Sequence, residues 1–389
     1  MQLPVYLDYM ATTPVDPGVL TKMMACLGKE GHFGNPASQT HRYGWEAAEL
    51  VSQARKQVAS LINADPREII WTSGATEANN LAIKGAANFY QRNGKHIITL
   101  LTEHKSVLDT CSFLESQGFE ITYLPLQQNG LLDFNLLRDS IRKDTILVSI
   151  MHVNNETGMI QEVEAIAKEI KSRGIIFHMD AVQSAGKVAV DVEKIPADLI
   201  SLSGHKLYGP KGIGALYVRR NPKVRLIPLI HGGGHEFGLR SGTLATHQIV
   251  GMGEAYAIAK SRLESDFIHC KKLTDFLYQR FTQLGGVTLN GDFSHKTSNC
   301  LNICFQGIDN DTLLASLPEV AASGGSACNS ASHQASHVLL GMGLSRDWAE
   351  QAIRISVGRF TTMEEVEFVG NRIVEQVTNL RNHSLSKNS

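Results

Sequence analysis

Residues 199–219, LISLSGHKLYGPKGIGALYVR, decide how the chain is read. The apolar run 199–202 has the composition of a buried strand. It breaks at Ser203-Gly204-His205-Lys206, turns through Gly209-Pro210 and resumes as a second apolar run at 213–218. A lysine at the tip of a buried strand, between a serine, a histidine and several glycines, is poorly explained as a solvated surface charge. It reads instead as a covalent anchor for a carbonyl cofactor.

Outward from this stretch, strand-like runs at 68–72, 95–101, 119–126, 145–153 and 175–180 alternate with helical patterns at 44–63, 75–90, 105–117, 133–141 and 162–173. Such β–α alternation predicts a mostly parallel sheet covered on both faces. Upstream, residues 3–9 read as a short strand, and 11–17 and 31–38 as loops. The pattern changes after about residue 245. A long helix (247–284), a strand (299–305), a Gly/Ser-rich loop (323–332), a strand (353–357) and a closing helix (364–380) predict a smaller α+β domain. The expected division is a large α/β domain at 15–260, with 1–14 and 261–389 forming the small one.

The composition suits a globular protein with a sizeable core: 389 residues, 43% hydrophobic and 19% charged. A formal net charge of -1 gives no electrostatic case for nucleic acid or an anionic membrane. There is no signal-peptide pattern at the start and no run long enough to span a bilayer. Six widely spaced cysteines, with no CxxC pair, suit reduced thiols in a cytoplasmic protein. Neither GxGxxG nor GxxxxGK[ST] occurs, which argues against a dinucleotide or P-loop site.

In open α/β sheets ligands bind at the carboxyl ends of the strands. Four consecutive strands deliver polar residues there: His104; Asn154-Asn155-Glu156; Asp180 with Gln183; and Ser203-His205-Lys206. Any one of them alone is better explained as a cap or turn residue. As a set they supply what pyridoxal phosphate needs. Lys206 offers the imine and Asp180 a carboxylate for the ring nitrogen, while Gln183 offers a donor for the phenolic oxygen. His104 is a flat partner for the ring. Thr72-Ser73-Gly74-Ala75-Thr76 opens a helix whose N–H groups, with Ser203 and His205, suit the phosphate. Cys328 sits in the small-residue loop SGGSACNSAS, where a thiol is accessible. Arg354 interrupts an apolar strand, so it faces either a substrate carboxylate or a structural salt bridge, the two readings being about even. His231 and His235 lie in glycine and read as a loop. A zinc site built from Cys328, His333 and His337 lacks a fourth ligand and is not expected.

The blocks YLDYMATTPVDP, FGNPAS, TSGATEANNLAIKGAANFY, TEHKSVLDTC, SIMHVNNETG, SGHKLYGPKGIGALYVRR, HGGGHEFGLRSGT, SGGSACNSAS and RISVGRFTT, in this order and spacing, resemble the cysteine desulfurases of the class V aminotransferase group. The type they resemble is the housekeeping one that supplies iron–sulfur clusters. The resemblance implies a fold-type I pyridoxal-phosphate transferase with a mostly parallel seven-stranded sheet, acting as a homodimer on L-cysteine. It assigns Lys206, His104 and Cys328 as catalytic. Cofactor contacts fall to Ala75, Thr76, His104, Asn155, Asp180, Gln183, Ser203, His205 and Lys206, with Thr243 reaching over from the second subunit. Asn155 and Arg354 would hold the substrate carboxylate. Sulfur would pass to a persulfide on Cys328, then to scaffold and acceptor proteins for cluster assembly and tRNA thiolation. No resident metal is implied, only transient contact of Cys328 with a nascent cluster. The chain closes on NHSLSKNS and not on the family's acidic-aromatic tail, so docking of a scaffold through such a tail is not expected. Met10 stands where a small or polar residue is usual.

A selenocysteine lyase or another class V aminotransferase is the near alternative. A transaminase, however, has no use for a nucleophilic cysteine on a loop. A catalytically idle platform for sulfur-transfer partners, or a zinc hydrolase, would lack the imine chromophore.

Overall fold

The computed structural model describes residues 2–324 and 335–387. Cys328 and His333 therefore lie outside the described residues. The strands are β1 (Val5–Tyr6), β2 (Ile69–Thr72), β3 (His96–Leu100), β4 (Glu120–Leu124), β5 (Thr145–Met151), β6 (Ile176–Asp180), β7 (Leu199–Ser203), β8 (Gly214–Val218), β9 (Val287–Leu289), β10 (Cys300–Phe305), β11 (Val320–Ala321), β12 (Ser323–Gly324) and β13 (Ala352–Ser356). The helices are α1 (Pro17–Met24), α2 (Arg42–Leu61), α3 (Ala75–Tyr90), α4 (Lys105–Ser116), α5 (Phe134–Ser140), α6 (Val163–Ser172), α7 (Thr246–Thr282), α8 (Asn310–Ala315), α9 (His337–Gly341), α10 (Arg346–Ala349) and α11 (Met363–Lys387).

Seven strands form the main sheet in the order β2-β8-β7-β6-β5-β3-β4. All neighbours are parallel except β8, which runs antiparallel to both β2 and β7. Residues on these strands alternate between two hydrophobic layers. Ile98, Val148, Ile150, Phe177, Ile200 and Leu202 pack with α2, α6 and the first half of α7. Ile97, Leu147, Leu199 and Leu216 pack with α3 and α4 on the other face. This period of two, with both faces apolar, is why the strands read as continuous hydrophobic runs.

A second sheet, β12-β13-β10-β9, is antiparallel throughout. It lies under the second half of α7 (Leu273, Leu277, Phe281) and α11 (Val366, Val369, Ile373). Val5 and Leu7 belong to this same layer, and β1 pairs with β11. The single helix α7 serves both cores: Ile249, Met252 and Tyr256 enter the first, while Cys270 onward enters the second. Among the described residues no helix is long and apolar enough to cross a membrane.

Two local expectations differ. The strand expected over 3–9 is only Val5–Tyr6; Leu7 to Tyr9 stay bonded to Ala321 and Ser356, but only through an isolated bridge at Asp8 that does not extend the ladder. The loop expected over 11–17 gives way to α1 at its last residue. Pro17 occupies the first helical position and the Asp16 carboxylate accepts the Gly18 N–H at 2.9 Å. Proline there starts a helix instead of breaking it.

Gly214 must lack a side chain. A Cβ would lie 2.7 Å from the Gly74 carbonyl carbon and 2.7 Å from Leu202 O, both backbone. Gly214→Ala is expected to cost about 1–3 kcal/mol, read as a lower denaturation midpoint, because neither neighbour can yield without moving the turn before α3.

Candidate active site

The carboxyl ends of β3, β5, β6 and β7 open onto one cavity of about 560 Å³. Its walls bring together Ala75, Thr76, His104, Asn155, Asp180, Gln183, His205, Lys206 and Arg354. Ser203 sits at the end of β7 behind His205, with its buried Oγ lacking a hydrogen-bond partner among the described residues. Thr243 is exposed in the segment before α7 and is not part of the cavity wall within one chain.

Lys206 follows β7 in the turn that leads back into β8. Its Nζ donates to the carbonyl oxygens of Met10 (2.7 Å) and Ala11 (2.6 Å). Gln183 Nε2 donates to the same Met10 oxygen at 2.8 Å. The segment 10–13 continues across the turn: the Thr13 N–H and Oγ1 both donate to His205 O at 3.0 Å, and Thr12 Oγ1 contacts His205 Nδ1 at 3.1 Å. Burial, then the neighbouring Lys206 charge, pushes His205 down to about 4, so it is neutral at physiological pH.

Asp180 ends β6. One of its oxygens accepts the Val182 N–H at 3.0 Å, the other Asn79 Nδ2 at 2.8 Å. Asn79 Nδ2 also donates to Ser106 Oγ at 2.8 Å, and that hydroxyl lies 2.8 Å from His104 Nδ1. A continuous hydrogen-bonded chain therefore joins Asp180 to His104. His104 is the N-cap of α4, with the Ser106 N–H directed at Nδ1 at 3.1 Å. The backbone N–H fixes Nδ1 as an acceptor, so the neutral ring carries its proton on Nε2, the atom left for proton exchange. Burial is the main cause that lowers the His104 pKa; the Lys206 charge adds to it and Asp180 opposes it.

The chemistry of the donor set fits pyridoxal phosphate. The N-cap of α3 is Gly74, which supplies no side-chain acceptor, so the first N–H groups of this 16-residue helix face the cavity beside Ala75 and Thr76. Asn155 Oδ1, Ser203 Oγ and Arg354 Nε are buried without partners among the described residues. Buried polar atoms are ordinarily satisfied, and two of these orphans, on Asn155 and Arg354, belong to the cavity wall and mark where a polar group belongs.

Arg354 is 2% exposed. Its Nη2 donates to Asp8 at 2.7 Å and to Ser323 Oγ at 3.2 Å, and Nη1 donates to Asn155 O at 2.7 Å. The structural salt bridge is thus present, and the same guanidinium forms part of the cavity wall. His337 begins α9 with Nε2 3.0 Å from Glu103 O. Next to it, Ser336 Oγ donates to the buried Glu156 carboxylate. Among the described residues no cluster of three His, Cys, Asp or Glu could hold a metal ion.

Asn79, Ser106 and the Met10 carbonyl escaped the reading of the sequence. The signal for Asn79 was a lone polar residue on the buried stripe of α3 shared with Ala78, Ala82 and Ala86. For a backbone carbonyl no signal exists.

The aminotransferase class-V family model matches residues 5–369. The cysteine desulfurase IscS of Vibrio vulnificus (strain YJ016) is 57% identical over 384 residues, covering 99% of this chain and 95% of that protein. Among solved structures, a NifS-like protein superposes with a TM-score of 0.89 at 37% identity, covering 96% of this chain and 99% of that one. SspA in complex with cysteine gives 0.81 at 40% identity, covering 92% and 99%.

Burial is the main cause that pushes Glu156 up from 4.5 to about 7. The folded state holds this proton more tightly than the unfolded chain. The resulting stability is full below about pH 4.5 and is lost as pH rises through about 7. Denaturation of Glu156→Gln across that window should show a shallower fall with pH than the parent, the difference approaching about 3 kcal/mol at most.

Proposed function

The chain belongs to the class-V aminotransferase family, and on that premise we propose that it is a cysteine desulfurase dependent on pyridoxal phosphate. The observation that carries this is Lys206 at the strand-end cavity opposite Asp180, on a chain 57% identical to a cysteine desulfurase along its length. Bound in the cavity, the cofactor supplies an electron sink for the bond changes at the substrate carbon.

This chain's residues do the rest. Lys206 would hold the cofactor covalently and Asp180 would pair with its ring nitrogen. Gln183 donates to the phenolic oxygen. His104 would stack on the ring and exchange protons through Nε2, its Nδ1 held by the Ser106 N–H. Ala75, Thr76, Ser203 and His205 bind the phosphate, helped by Thr243 of the partner subunit in a homodimer. Asn155 and Arg354 orient the carboxylate of L-cysteine. Cys328 attacks the substrate sulfur: the carbon–sulfur bond breaks, a sulfur–sulfur bond forms, and a proton returned to carbon gives L-alanine. L-cysteine plus the Cys328 thiol thus becomes L-alanine plus a Cys328 persulfide, which balances without an external oxidant.

The persulfide is handed to acceptor proteins, among them a scaffold for iron–sulfur clusters and the carriers of tRNA thiolation. The five described cysteines are buried free thiols, which supports a reducing cytoplasmic setting.

A visible spectrum of the pure protein with pyridoxal phosphate, before and after L-cysteine, tests cofactor and substrate together. The parent should show a protein-bound band that L-cysteine changes, and Lys206→Ala should lose the covalent link. Cys328→Ser should keep the cysteine-induced change while sulfide release falls by roughly a thousandfold. Undiminished sulfide release from Cys328→Ser would sink the persulfide route in favour of another class V activity.

A further inference from the structure

Gln183 has two neighbours that leave its amide no choice. Its Oε1 lies 2.7 Å from Lys187 Nζ and its Nε2 2.8 Å from Met10 O. An ammonium has only donors and a carbonyl only acceptor lone pairs, so both contacts demand the same orientation. Nε2 carries two hydrogens, Met10 O takes one, and the other remains for the cavity that Gln183 lines. Lys187 itself is outside the cavity wall, half-buried, its amine directed onto Gln183 and 3.8 Å from Met10 Sδ.

From this geometry we propose that Lys187 is a positioning residue, which locks the Gln183 amide so that only an N–H, never the carbonyl oxygen, meets the bound cofactor. The inference rests on the pyridoxal-phosphate reading above and names a residue to which that reading gave no part. Without Lys187 only the Met10 carbonyl still orients the amide, Oε1 loses its donor, and the N–H offered to the cofactor is held by one anchor instead of two. The two orientations differ in the sign of the dipole offered, so the lock bears on charge at the cofactor and not on packing alone. The charged and titratable groups around the amine are Lys206 and His205 after β7, Arg354 on β13, Cys300 on β10 and Cys270 on α7. Burial, followed by the Lys206 charge, brings Lys187 down to about 7. The neutral amine has a lone pair as well as N–H donors, so the lock is strict for the ammonium and relaxes as the pH rises through about 7.

The test is the pH titration of the visible band of the cofactor-loaded enzyme. A donor to the phenolic oxygen stabilises its anionic form and so disfavours the neighbouring proton. Lys187→Met is expected to raise the titration midpoint by about one pH unit, a tenfold gain in proton affinity. Lys187→Arg, which still donates, should restore the parent midpoint. In a Gln183→Leu background Lys187→Met should shift nothing further, since the effect runs through the amide. An unchanged midpoint in a loaded Lys187→Met enzyme overturns the proposal. So does an equal shift in the Gln183→Leu background, which would mean that the charge acts alone. If Lys187→Met does not fold, Gln183→Glu serves: it has the same shape but no N–H, and an unchanged midpoint there overturns the lock. A parent enzyme with no such band would instead defeat the cofactor reading, leaving the two failures distinct.

Discussion

Everything at the catalytic edge hangs on the backbone of Met10 and Ala11. These two carbonyls receive the Lys206 amine, and the first also receives Gln183. Carbonyl dipoles stabilise a cation without supplying a counter-charge, and these two contacts hold the lysine amine at the cavity wall. The strap that carries them starts in the other core. Val5 and Leu7 are buried against the small sheet, Asp8 reaches Arg354, and Thr12 and Thr13 close over His205. One short segment thus fixes the register between the two sheets and presents acceptors to the lysine.

That arrangement gives the unusual Met10 an account. Its side chain is fully buried, with Sδ 3.8 Å from Lys187 and 3.6 Å from Asn299 Nδ2. A thioether is a weak, polarisable acceptor and can fill an irregular space between two donors without demanding a strong bond from either. A small residue there would leave the same space open to water, which would raise the local dielectric around the two lysines.

The fold was largely legible because its strands are buried on both faces and its helices are punctuated by glycine and capping residues. The alternation from 68 to 180 maps onto β2 to β6 with boundaries moved by only a few residues. The reversal of β8 was not legible, since an apolar run has no direction. The short pairings of β9, β11 and β12 were hidden as well; two or three residues carry no periodicity. At the site, the residues that terminate long apolar strands stood out because a polar group ending such a run must go somewhere. Asn79 and Lys187 did not stand out. Each sits on a helix or turn in ordinary-looking sequence, and its meaning comes from partners 101 residues away, for Asn79 and Asp180, or from a neighbour, Gln183, whose own role had first to be recognised.

For Arg354 the salt bridge is present, and it leaves room for the proposed anion site on the same side chain. Salt bridge and substrate anchor looked like rival explanations for one buried guanidinium. Its five N–H donors allow both, because Asp8, Ser323 and Asn155 O occupy the two terminal nitrogens while Nε is left buried without a partner. A lone arginine in this cavity would face a large desolvation penalty whenever substrate is absent. Asp8 removes much of that penalty in the resting state. Under the proposed function an incoming carboxylate would meet a guanidinium already oriented by three fixed acceptors, with little side-chain entropy left to lose on binding. The salt bridge is therefore the condition under which a buried arginine can serve as an anion site.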